Sequence, residues 1–381
     1  MYIYQVSPND LLWLLSIICK RVYEIFAIQT NESKLIYNIK MDTENNTIRI
    51  VFLDRDGLPN HVGIAPPNTD HEWIEYAQTK PNQVVDRLVG AHIVVTNKVT
   101  ISREILEACP SIKYITVTAT GFNIIDTVAC EDLGVSVSNI PSYAAVTVSE
   151  HVIGTAIILR REIIRYAHQV SNNEWQGSNA FCLFGKPFNN IAGSTIGLIG
   201  MGDIAQETAK RAHALGMNVL FTKRTSFNSN SNSNSNPNPN SKSLSFAKQV
   251  DLPTLLAQSD IVSLHCSLNP STKNLIGERE LAQMKSGSIL INTARGGIVD
   301  EAALVDRVKS QHIAGIAFDV MQNEPPSADA PLLSIADLPN VILTPHISWA
   351  SNQAVQHLAQ TASNNIKAFI AGNPTNLVTQ H

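Results

Sequence analysis

One figure repeats along most of the chain: a short apolar run, then a stretch whose apolar positions fall three and four residues apart. The run suits a buried strand and the spacing suits a helix. Ile48 to Leu53, His71 to Tyr76, Ile93 to Asn97 and Ile112 to Thr118 are read as strands, with helices at Val84, Val85 and Leu88 and over Arg103 to Ala108. Thr147-Val-Ser-Glu150 has the form of a capping box and predicts a long helix carrying Val152, Ile153, Ala156, Leu159 and Ile163. Further strands are expected at Ile196 to Ile199, Met217 to Thr222, Ile261 to His265, Ser288 to Asn292, Ile313 to Asp319 and Val341 to Thr344. A final amphipathic helix runs through Ala354, Leu358, Ala362, Ile366 and Ile370, closed by Gly372 and Pro374. Repeated β-α-β units predict an α/β fold of parallel sheets with helices on both faces.

Two stretches break the figure. In residues 1–46, Leu11 to Cys19 is apolar but too short to span a bilayer, and Asp10 is the only charge before it, where a signal peptide carries positive charge. The expectation is a poorly ordered extension or a mis-called start, with Met41 as initiator. The Ser/Asn/Pro tract of residues 228–241 has nothing to bury and is expected to be a disordered insertion.

Between the strands Ile196–Ile199 and Met217–Thr222 lies Gly200-Met-Gly202-Asp203-Ile204-Ala205, which fits the G-x-G-x-x-G/A dinucleotide fingerprint. Gly200 permits the tight turn, Gly202 lets the backbone approach a pyrophosphate, and Ala205 keeps helix and strand close. Amides at the start of the following helix would face the phosphates. Because the fingerprint comes so late, the strands before it are assigned to a separate domain.

Composition narrows the field. With 381 residues, 44% hydrophobic and 16% charged, the chain can fill two cores. A net charge of −4 without a basic stripe leaves no electrostatic footprint for nucleic acid. Five scattered cysteines, with no C-x-x-C pair, suit reduced thiols in a cytoplasm and give no metal-ligand spacing.

Three titratable residues follow expected strands, where sites in open α/β sheets form: Arg295 in Asn292-Thr-Ala-Arg295-Gly-Gly, Glu324 in Phe318-Asp-Val-Met-Gln-Asn-Glu324-Pro, and His346 in Thr344-Pro-His346. A guanidinium suits bidentate capture of a carboxylate. An imidazole suits proton delivery to a carbonyl oxygen, and a carboxylate beside it fixes its tautomer. Singly, these residues also read as a solvated charge, a turn and a loop histidine.

With these motifs, from Gly197–Ala205 through Ile291–Asp300 to Phe318–His346, the chain resembles the D-isomer-specific 2-hydroxyacid dehydrogenase family over about Ile48 to Leu377. His71-Glu-Trp-Ile-Glu-Tyr76, Thr96-Asn-Lys-Val99, Thr118-Ala-Thr-Gly-Phe-Asn123, Phe181-Cys-Leu-Phe-Gly185 and Ile347-Ser-Trp-Ala-Ser351 resemble its glycerate dehydrogenase (hydroxypyruvate reductase) branch. The resemblance implies two similar doubly wound domains with a cleft between them. One is a flavodoxin-like substrate domain (47–146 plus 347–381), the other a Rossmann dinucleotide-binding domain (147–346). It also implies a homodimer formed through an arm at Trp175 to Phe188, with no membrane association.

By the same resemblance Arg295, Glu324 and His346 are the catalytic residues. Asn97, Lys98, Val99, Ala119, Thr120 and Gly121 contact a small 2-keto acid, hydroxypyruvate or glyoxylate. Gly200, Gly202, Asp203, Ile204, Thr147, His265, Cys266, Thr293, Ala294 and Asp319 contact the cofactor, Asp319 through the nicotinamide carboxamide. Rival readings are a general 2-keto acid or glyoxylate reductase, a phosphoglycerate dehydrogenase and a corepressor-like nucleotide sensor. Two departures stand out. Thr222-Lys223-Arg224-Thr225 offers cations and hydroxyls where NAD specificity calls for a carboxylate, which favours NADP with NAD as the alternative. Ser267 replaces a frequent proline beside the adenosine.

Overall fold

A computed structural model describes residues 47–185, 187–223 and 244–379. The extension 1–46 and the tract 228–241 therefore lie outside the described residues. The chain folds as two compact units: one runs up to Pro141 and resumes at Val355, the other runs from Ser142 to Ala354.

The first unit is built on five parallel strands: β1 (Ile48–Phe52), β2 (His71–Glu75), β3 (Ile93–Thr96), β4 (Tyr114–Val117) and β5 (Ser136–Ser138). They lie in the order β2-β1-β3-β4-β5, the flavodoxin-like order. Every residue of β3 and β4 is buried, as expected for strands covered on both faces, whereas edge strand β2 buries none of its residues fully. Strand β5 was not legible as one. Its two serines are buried and Ser138 donates to the Thr375 carbonyl at 2.6 Å, while the Val137 amide donates to the Thr379 hydroxyl. Within this unit the last helix, Asn352–Ile370, stacks Phe369 on Tyr114 with ring centroids 4.3 Å apart.

The second unit carries seven parallel strands: β6 (Thr195–Ile199), β7 (Asn218–Thr222), β8 (Ala247–Gln249), β9 (Ile261–Leu264), β10 (Ser288–Asn292), β11 (Ile313–Phe318) and β12 (Val341–Leu343). Their order is β12-β11-β10-β9-β6-β7-β8, so the chain winds outward from β6 and then reverses to β9. That reversal is where an open α/β sheet has its crevice. Alternation along β10 shows how both faces are filled. Ile289 and Ile291 pack with Val152, Ala156, Ala209 and Ala212, while Leu290 packs with Leu255, Leu281 and Leu304.

The long helix is shorter than its pattern predicts. It spans Ala145–Arg160, and Ile163 opens the next helix, Ile163–Ser171, after a left-handed Glu162 (φ +54°). The capping box is not made either. The helix starts two residues before Thr147, without a side-chain cap, and the Thr147 hydroxyl donates to the Ser348 carbonyl at 3.0 Å. Among the described residues, no helix is long and apolar enough to cross a membrane.

Candidate active site

At the reversal of the second sheet, the carboxyl ends of β6, β7 and β9 enclose a cavity of about 390 Å³ lined by Gly200, Gly202, Lys223, His265, Cys266 and Ser267, among others. Gly200 has φ +109°, and a Cβ there would meet the His265 carbonyl oxygen at 2.6 Å, so only glycine fits. Gly202 caps the helix Asp203–Ala214, and a Cβ built on it would meet nothing within 4 Å. The amide end of that helix therefore faces open space, as a pyrophosphate requires. Ala205 is fully buried under the helix, Ile204 is half-buried, and the exposed Asp203 accepts a hydrogen bond from the Ser142 hydroxyl.

The cavity wall is uncharged on the β9 side. His265 shares a 2.9 Å hydrogen bond with the Ser263 hydroxyl, and burial pushes its pKa down to about 4. Burial likewise pushes the Cys266 thiol up to about 11. Lys223 contributes the charge from the end of β7. Arg224 and Thr225 lie outside the described residues. On the far side of the sheet's midline, the Thr293 hydroxyl is buried with no hydrogen-bond partner among the described residues, and Ala294 donates its amide to Asn292. An orphaned buried hydroxyl and an open helix end suit a bound dinucleotide.

Three neighbouring strand ends carry the expected catalytic residues. After β10, Asn292 accepts the Ala294 amide and donates to the Arg295 carbonyl, which sets the turn that presents the guanidinium. After β11 comes Glu324, and after β12 comes His346. These two meet: His346 Nδ1 and Glu324 Oε2 are 2.7 Å apart, with side chains 26% and 35% exposed, so the pair is open to a small substrate. Because Nδ1 is engaged, Nε2 is the nitrogen that can pass a proton.

His346 has a left-handed backbone (φ +53°), uncommon outside glycine, and its surroundings hold it there. Its amide donates to Asp319 O, and its carbonyl accepts from Trp349 Nε1 at 2.8 Å. The Asp319 carboxylate, 1% exposed, accepts from the Thr344 hydroxyl and from the amides of Ile347 and Ser348 at 2.6–2.9 Å. Gly296 is the other fixed point. A Cβ there would collide with the Met321 carbonyl, so the Arg295 and Glu324 loops touch backbone to backbone.

Tyr143 and Trp349 were assigned no role from sequence, yet they pack edge to face 6.1 Å apart. Burial pushes the Tyr143 phenol up to about 12 against the opposing pull of the Arg295 guanidinium. Ile347-Ser-Trp-Ala-Ser351 is the available signal for Trp349, but it carries a branch resemblance and no role for either ring.

In the first unit, the Asp54 carboxylate accepts the Asn97 amide through both oxygens and the Lys98 amide at 2.6 Å. This shapes the Asn97-Lys98-Val99 loop after β3. Ala119, Thr120 and Gly121 follow β4, with Thr120 Oγ1 donating to the Ile140 carbonyl.

Residues 153–348 match the NAD-binding domain of the D-isomer-specific 2-hydroxyacid dehydrogenases. The chain belongs to that family. A pyridine nucleotide is accordingly its cofactor. A glycerate dehydrogenase from Methylorubrum extorquens is 44% identical over 333 residues, covering 87% of this chain and 99% of its own. A hydroxypyruvate reductase from Blautia hydrogenotrophica is 34% identical over 302 residues, covering 79% and 89%. Among solved structures, an acyclic imino acid reductase in complex with NADPH and D-Arg superposes with a TM-score of 0.71 at 27% identity, over 87% of this chain and all of that one.

Proposed function

We propose that this enzyme reduces hydroxypyruvate to D-glycerate, and glyoxylate to glycolate, with NADPH preferred to NADH. The reading rests first on the 2.7 Å Glu324–His346 pair, whose members stand three and four strands from the fingerprint in the same sheet. When bound, the reduced nicotinamide supplies the hydride that goes to C2 of the keto acid. Gly200, Gly202 and the helix start at Asp203 and Ile204 hold the pyrophosphate, with Thr147, His265, Cys266, Thr293, Ala294 and Asp319 as further contacts. Arg295 takes the substrate carboxylate and polarises the ketone. His346 delivers a proton from Nε2 to the carbonyl oxygen, and Glu324 keeps the ring aligned. Amides of Ala119, Thr120 and Gly121, with Asn97, Lys98 and Val99, are assigned to the substrate.

The names of the relatives support the choice of acid. The position of Lys223 in the cavity wall, without a carboxylate at the end of β7, supports NADPH. Phe181 and Phe184, 96% and 89% exposed, and the half-exposed Trp175 support a homodimer arm, since apolar patches of this kind mark association surfaces. Four free thiols among the described residues suit a cytoplasm.

The test is a panel of initial rates with hydroxypyruvate, glyoxylate and 3-phosphohydroxypyruvate, each with NADH and NADPH. The highest kcat/KM is expected for hydroxypyruvate with NADPH. Equal rates with both cofactors would remove the Lys223 reading, and inert hydroxypyruvate would remove the substrate reading.

A further inference from the structure

Glu301 is the first residue of the helix Glu301–Lys309, yet it does not cap it. Asp300 does, accepting the amides of Ala302 and Ala303. Glu301 is instead 5% exposed, and among the described residues no cation lies within ion-pair distance of it. Burial, with the charges of Asp300 and Glu324 acting the same way, pushes its pKa up. A carboxylate kept in so unfavourable a place needs a compensating bond. That bond is a 2.7 Å hydrogen bond to Glu301 Oε1 from the amide of Gln322.

Gln322 sits inside the segment that ends in Glu324. Its neighbour Met321 donates its amide to Glu324 Oε1 at 3.1 Å, and Glu324 Oε2 holds His346 Nδ1. On the opposite side the Met321 carbonyl presses against Gly296, next to Arg295. The segment is therefore gripped from one side by Glu301 and from the other by the Arg295 turn, and it passes that placement to the imidazole.

We infer that Glu301 is a positioning residue for the Glu324–His346 pair, acting through the backbone of Met321 and Gln322. Glu301 is assigned no contact with substrate or cofactor, and the inference rests on the reading of His346 as the proton donor. A buried acceptor that aligns a reacting group is felt in turnover rather than in nucleotide capture, because small displacements at the reacting atoms are costly.

The experiment compares E301A, E301Q and H346A in the full chain, measuring kcat and KM with the best keto acid of the panel and the nucleotide Kd by fluorescence titration. E301A is expected to lower kcat roughly 10–100-fold while leaving nucleotide Kd unchanged. E301Q, whose amide oxygen can accept the Gln322 amide, should recover most of that loss. A role confined to folding would move thermal stability without this split or rescue. Wild-type kcat in folded E301A overturns the inference, as does an equal loss in E301A and E301Q. If E301A does not fold, E301D, which withdraws the acceptor by one methylene, takes its place with the same expected loss. Turnover surviving in H346A would instead strike down the proton-donor reading, whatever the Glu301 variants do.

Discussion

Asp54 in the first unit and Asp319 in the second solve one mechanical problem in two separately folded sheets. Asp54 follows β1 and accepts amides from the loop after neighbouring β3; Asp319 follows β11 and accepts amides from the loop after neighbouring β12. Parallel neighbours end at the same edge of a sheet, so a carboxylate at one strand end meets the amides leaving the next. The two differ in what they hold. Asp54 secures a loop assigned to substrate contacts, and its burial outweighs its amide bonds, so its pKa is raised. Asp319 secures the turn that carries a left-handed histidine. Equivalent anchors should therefore fail in different kinetic constants.

The largest effect bears on the residue that the second anchor presents. His346→Ala is expected to lower kcat by roughly 10²–10⁴-fold with nucleotide binding intact, the usual scale for loss of a general acid. Single-turnover hydride transfer measures it, and near-normal rates would end the enzyme assignment of this turn.

The anchors themselves come next. Asp319→Ala strands one hydroxyl and two amides and should cut kcat roughly 10–100-fold through misplaced chemistry. Asp54→Ala should leave kcat nearly intact and raise KM for the keto acid by roughly tenfold, equivalent to ~1.4 kcal/mol of binding. Both variants changing the same constant would erase the contrast between the two units.

The smallest effect at neutral pH is expected at the nucleotide end of the second sheet, where no carboxylate anchors a loop among the described residues. His265 has a folded pKa of about 4, below its ordinary 6.5. As pH falls below 6.5 the unfolded chain takes up the proton first, so stability drains away down to pH of about 4. His265→Gln should lose about 1–3 kcal/mol less than the wild type across that window and match its slope above pH 7. Urea unfolding at several pH values reads the difference, and parallel curves would refute it.

The strands that were easiest to read were those buried on both faces, such as β3 and β10, whose apolar runs leave little ambiguity. β5 escaped notice because two of its three residues are serines, and its Ser138 hydroxyl and Val137 amide find their partners in Thr375 and Thr379, more than 230 positions on. The capping box misled for a related reason: the Thr147 hydroxyl takes a carbonyl 201 positions away in place of its own helix. Arg295, Glu324 and His346 could be named singly, since each follows a strand in a distinctive motif. Asp54, Glu301 and Tyr143 could not. Their partners are set by sheet order and by loop packing, which no local pattern records.

The bare α-carbon at Gly296 has a consequence for how this enzyme can change. The guanidinium and the carboxylate that holds the imidazole ride on two turns that lock together main chain against main chain, so neither can be re-aimed without dragging the other along. New acids must then be accommodated by remodelling elsewhere, while the reacting pair is inherited as a single part.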